Sequence, residues 1–181
     1  MNLGTRYKAV LLVQALVGYE WLASGLTKLV HGDFPAGLAG ALRELAPHAP
    51  GWYRGFLDGA VVPHAQAFGY AIEVGELALG VVLLAAAAGA LLRGGRSGRG
   101  VDAVVAAAVG AGLFLAVNLE LANGAHFGLP IAGDSFDEGI DLDTIMVGLQ
   151  LVLLGSAVAA LRASRSRATV ARLVHVFASL R

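Results

Sequence analysis

The sequence predicts an all-α fold: an integral membrane four-helix bundle with short outer-surface helices and a C-terminal amphipathic helix. Three observations predict it. Of 181 residues, 57% are hydrophobic and only 14% charged, with a mean hydropathy of +0.70, whereas soluble domains hold roughly 45–50% apolar and 25% charged residues. Four apolar stretches reach the ~20 residues that a spanning helix needs. Those stretches are long and rich in Ala and Leu, without the period-2 alternation of strands. High hydrophobicity excludes a disordered chain. Thirteen basic and thirteen acidic residues cancel, so no global field attracts nucleic acid. The absence of Cys excludes disulfides, Fe–S ligation and thiolate zinc sites within the chain.

The first span covers about 7–30. Arg6 and Lys8 ahead of an apolar run ending near Ala23-Ser24-Gly25 also fit a cleaved signal segment. Glu20 and Trp21 interrupt that run and it continues to Val30, which favours a retained helix. Residues 31–63 are too long for a simple connection. Leu38, Leu42 and Leu45 recur at helical spacing, Pro47 and Pro50 break the run, and Trp52, Tyr53 and Phe56 read as interfacial anchors. The second span, about 64–92, is long enough to tilt or protrude. A glycine-rich basic turn, Gly94 to Gly100, lacks a phosphate-loop ending and reads as a flexible link. The third and fourth spans cover about 101–123 and 142–161. They complete a transmembrane domain over 1–163, leaving 164–181 as a basic tail. There Val170, Leu173, Val174, Phe177 and Leu180 form an apolar stripe, suited to a helix on the inner leaflet or to docking a soluble partner.

Orientation follows from Lys and Arg in short loops. Arg6 and Lys8, then Arg93, Arg96 and Arg99, then Arg162, Arg165, Arg167, Arg172 and Arg181 mark one side. Residues 124–143 carry Asp134, Asp137, Glu138, Asp141 and Asp143 without a Lys or Arg. Both termini are therefore expected in the cytoplasm, with the acidic loop outside. A faint repeat relates Val17–Gly25 to Val117–Gly124, each followed by a His…Pro segment; a parallel two-plus-two repeat and chance similarity explain it equally.

The informative residues are ionisable ones inside the spans, where a charge costs at least ~2.5–3.5 kcal/mol and normally faces a partner. These are Glu20 and Lys28 on the first span, Glu73 and Glu76 on the second, and Glu120 on the third. At a rise of ~1.5 Å per residue they fall in the outer half or near the middle, together with Asn118 and Asn123. Glu20, Ser24 and Lys28 share one helical stripe; Gln66, Tyr70 and Glu73 share another. The inner halves read as almost purely apolar. The pattern predicts a polar cavity opening outward, with His64 and His126 at its rim as an extension of a proton path. The alternative is polar glue between helices, Glu20 with Lys28 and the other acids on Asn, Ser or backbone. No His-x-x-x-His or Glu-x-x-His spacing exists, so no metal is expected, and no span has a central His for haem.

Several segments carry a resemblance. Trp21-Leu22-Ala23-Ser24-Gly25-Leu26-Thr27-Lys28-Leu29 resembles the small-Gly-x-x-Lys signature of the DoxX/DoxD family of four-helix membrane proteins. Phe34-Pro35, Trp52-Tyr53-x-x-Phe56-Leu57, Gly69 with Glu73-x-x-Glu76-Leu77-x-x-Gly80, and Asn118-x-x-x-Ala122-x-Gly124 are similar to its DoxD branch, the membrane subunit of thiosulfate:quinone oxidoreductase. The likeness spans about 7–160 and leaves the tail unmatched.

The resemblance implies a multi-pass protein of a bacterial or archaeal cytoplasmic membrane, passing electrons from thiosulfate or another small reductant to quinone. Quinone is then the bound substrate, with no covalently bound cofactor. The resemblance supplies no residue roles; with a quinone ring in the expected outward cavity, Glu73 and Glu76 would relay protons. Glu20 and Lys28 would bind a ring oxygen or a small anion, Trp21 or Tyr70 would pack the ring, and Asn118, Glu120 and His126 would complete the site. Besides the bilayer, partner subunits or further copies of the chain are expected. A non-catalytic anchor of a larger respiratory complex is the alternative, with Gly18 and Gly25, or Gly148 and Gly155, as association faces. A small proton-coupled transporter is the third.

Overall fold

The computed structural model describes residues 3–95, 97–124 and 142–179, with side chains for residues 7–163 of that set. Six helices follow in order: α1 Leu3–His31, α2 Phe34–Leu45, α3 Gly51–Phe56, α4 Ala65–Leu92, α5 Arg99–Ala122 and α6 Leu142–Ser179. A π turn over Leu57–Val61 and a 3₁₀ turn over Val62–His64 lead α3 into α4. The bundle is all-α, and four of its segments are long and apolar enough to cross a membrane: Tyr7–His31, Gly51–Leu92, Arg99–Ala122 and Leu142–Ala163. α6 continues without a break past residue 163. The side chains of the expected amphipathic tail lie outside the described residues, as do His126 and the acidic loop from Asp134 to Asp141.

α1 and α4 pair most extensively, followed by α5 and α6. Both pairs are antiparallel. Along the first, Gly18 meets Leu83, Gly80 meets Leu22, and Gly25 meets Leu77, so numbers fall on α4 as they rise on α1. Along the second, Thr144 meets Glu120 and Gln150 meets Gly112. In lipid, where burying apolar surface between helices gains little, such close backbone approach supplies the attraction. A Cβ on Gly80 would stand 2.5 Å from the Leu22 nitrogen, so only glycine permits this contact. The core runs through Val17, Trp21, Leu83, Val109 and Leu153.

The register has a consequence that helix lengths alone hide. With Gly25 level with Leu77, the end of α1 lies opposite about residue 71, six residues into α4, or about 9 Å. α2 fills the step: Gly32, at φ +73°, ends α1, Pro35 opens α2, and Pro35 then packs directly on Gly69. Leu38 and Leu42 from α2 join Tyr53, Leu57, Val61 and Ala122 in a second apolar cluster. α2, α3 and the π turn thus form a cap over one end of the bundle. Short helices in 31–63 match the sequence reading, with one correction. Trp52 and Phe56 are exposed, but Tyr53 is buried, because its hydroxyl reaches α5.

Candidate functional site

Beneath the cap lies a cavity of about 470 Å³ between α1, α2, α3, α4 and α5. Its walls are aliphatic and aromatic, with Phe34, Phe56, Phe68 and Phe114 among them. Among the described residues polar groups reach it at three places, one of them Asn123 at the end of α5, whose Nδ2 donates to Asp143 Oδ2 at 2.8 Å. On the α1–α4 wall, Lys28 Nζ lies 2.7 and 2.9 Å from the two carboxylate oxygens of Glu76 and donates to Ser24 Oγ at 2.7 Å. The Phe34 ring stands 5.0 Å from the same ammonium. On the α3–α5 wall, the Tyr53 hydroxyl donates to Asn118 Oδ1 at 2.9 Å, while Asn118 Nδ2 donates to the Phe114 carbonyl at 2.6 Å. An amide nitrogen carries two protons, so Asn118 retains one N–H beyond that bond.

Glu76 is 1% exposed. An ionised carboxylate there is tolerable only because the ammonium sits against it, since an isolated buried charge costs several kcal/mol. The two residues meet because α1 ends below the start of α4. Lys28 is three residues from the end of its helix, yet it reaches the level of Glu76, eleven residues into α4. The sequence reading offered Lys28 to Glu20 on its own helix; the partner is Glu76 across the helix pair.

The other expected site residues are dispersed around this pair. Glu73 is buried on the α4 face that carries Gly69, Glu76 and Gly80, but it does not line the cavity. Glu20 is half-buried and also away from it. Glu120 is buried toward α6, where Thr144 Oγ1 donates to it at 3.0 Å. Tyr70 is 56% exposed, on the outer surface of α4, so it is not placed to pack a ring in the cavity. Trp21 points to the bundle centre instead. Its Nε1 stands 3.2 Å from where a Gly112 side chain would begin, and the Gln150 amide occupies that same space. Trp21 Nε1 and both amide atoms of Gln150 have no hydrogen-bond partner among the described residues. Among the described residues a single outward-opening polar chamber is therefore replaced by a mostly apolar cavity with one ion pair and two amides, Asn118 and Asn123.

Sequence reasoning also missed polar groups in the other half of the bundle. Gln14 is buried and donates to the Leu83 carbonyl at 2.9 Å. It lines a second cavity of about 380 Å³ near the opposite end, with Tyr7, Ser97, Asp102 and Ser156. Only the isolated glutamines in the apolar runs signalled this. Among the described residues no group of three or more His, Asp or Glu stands close enough to hold a metal ion. Compared with known proteins, the chain matches no family model, no curated protein and no solved structure.

Proposed function

We propose that the chain is the quinone-binding membrane subunit of an oxidoreductase in a bacterial or archaeal cytoplasmic membrane, both termini in the cytoplasm. One observation carries the reading: a large apolar, phenylalanine-lined cavity has an ion pair on one wall and an amide with a spare N–H on another. A quinone ring is flat and apolar between two carbonyl oxygens, so its faces suit the phenylalanines and its ends suit Lys28–Glu76 and Asn118. Ligand sites commonly have such walls with few, well-placed polar groups. The resemblance to the DoxX/DoxD family favours the same substrate.

Quinone reduction takes up two electrons and two protons. In the sulfur chemistry that the resemblance implies, two thiosulfate ions give two electrons and become tetrathionate. A dianion would lose most of its hydration in this cavity without matching charge, so the donor is assigned to a separate site, on this chain or a partner subunit. Glu76 and Lys28 hold and pass the proton at the near ring oxygen, and Glu73, one turn along α4, resupplies Glu76. Asn118 orients the far oxygen, which takes the second proton from water at the cap end of the bundle.

A photoreactive quinone added to the reconstituted chain is expected to cross-link within residues 68–76 and 114–123, with excess plain quinone suppressing it. Glu76→Gln is expected to weaken binding about tenfold through loss of a charge-assisted contact. Thiosulfate- or sulfide-dependent quinone reduction by membranes should fall with it and with Glu73→Gln. Cross-linking confined to helix faces remote from the cavity, or indifferent to competitor, would overturn the assignment.

A further inference from the structure

The cavity wall is unevenly covered. Toward the cap, Leu38, Leu42, Tyr53, Leu57 and Val61 are buried while Ala41 and Phe56 face outward, and Tyr53 ties α3 to α5 through Asn118. At the seam between α4 and α5 the cover is missing among the described residues: Phe68 is 39% exposed, Phe114 is 71% exposed, and Ala71 between them in the lining is also exposed. The α4–α5 contact is much less extensive than α1–α4 or α5–α6. Phe114 precedes the end of α5 by eight residues, about 12 Å, well inside an apolar span, while Ala71 lies level with the end of α1. A sideways gap at that level faces hydrocarbon.

We propose that the α4–α5 seam is a lateral portal through which a lipid-dissolved, tail-bearing ligand passes from the bilayer into the cavity. Its ring stops at Lys28–Glu76 and Asn118 while its tail trails past Phe68 and Phe114. That the ring is a quinone rests on the function proposed above; the portal itself rests on the seam. Apolar walls admit such a molecule without stripping bound water. Small Ala71 leaves the gap open, and the exposed phenylalanines give it an aromatic rim.

The chain has no native Cys, so one introduced thiol reports unambiguously. In Leu115→Cys, on the cavity wall, a membrane-permeant maleimide should react in reconstituted vesicles, and a sulfonated, impermeant maleimide should not react from either side. Adding Ala71→Trp should slow the permeant reagent about tenfold or more. Adding Gly148→Trp, on an open face of α6, should leave the rate unchanged. Labelling by the impermeant reagent at a similar rate, or indifference to Ala71→Trp with the fold intact by circular dichroism, would overturn the portal. Protection of the thiol by a tail-bearing quinone is read separately: its failure with the permeant pattern intact removes the quinone and leaves the portal.

Discussion

Lys28 has three donors, and the protein occupies all of them with Ser24 and the two oxygens of Glu76. The pair is therefore closed until something competes for it, which is the condition for coupling ligand arrival to proton movement. It also makes each partner necessary to the other. Lys28→Met is expected to destabilise the protein by about 3 kcal/mol, because removing one partner strands the buried carboxylate. The low end of the usual range applies, since the lysine side chain is 21% exposed. Lys28→Met with Glu76→Met should restore most of the loss, as measured by denaturation in mixed micelles. Equal loss in single and double variants would show that the pair is not coupled. The residue types were legible in the sequence as costly charges in apolar spans. Their pairing was not, because a lysine near a helix end and a glutamate near mid-span meet only through the offset between α1 and α4.

At the scale of elements, glycine decides which faces touch. The sequence offers Gly18, Gly25, Gly148 and Gly155 alike as close-packing positions. Gly18 and Gly25 are used against α4 within the chain, whereas among the described residues nothing lies within 4 Å of a Cβ placed on Gly148 or Gly155. Gly80→Val would force its Cβ into the Leu22 backbone, which cannot yield as a side-chain tip can. We expect a loss of about 3 kcal/mol or more, beyond ordinary overpacking, and none from Gly148→Val, by thermal unfolding in detergent. Comparable behaviour of the two variants would refute this account of the α1–α4 seam. The cap was legible as short amphipathic helices. That Tyr53 turns inward was not, since an aromatic beside Trp52 and Phe56 carries the same interfacial signature whichever way it faces.

For the whole molecule, antiparallel pairing brings the start of α1 and the α4–α5 turn to one end, and α2 with α3 to the other. Basic residues gather at the first of these ends, and the positive-inside tendency predicts that this end faces the cytoplasm. In the cysteine-free chain, Gly98→Cys is expected to react with an impermeant maleimide only in inverted vesicles, and Gly37→Cys only in intact cells. Both positions are exposed and uncrowded. Labelling of both from one side would contradict the four-span topology, and exchanged sides would reverse the orientation.

The fold class and the four apolar spans were readable segment by segment. Span length answers to bilayer thickness and hydropathy, and both are properties of a segment taken alone. The pairing of Lys28 with Glu76, the turn of Trp21 and Glu120 toward the bundle, and the mostly apolar cavity emerge only once the helices are packed together. Those outcomes depend on the register of one helix against another and on a cap folded across their unequal ends. Close glycine contacts set that register to within one helical turn, and hydropathy is blind to it.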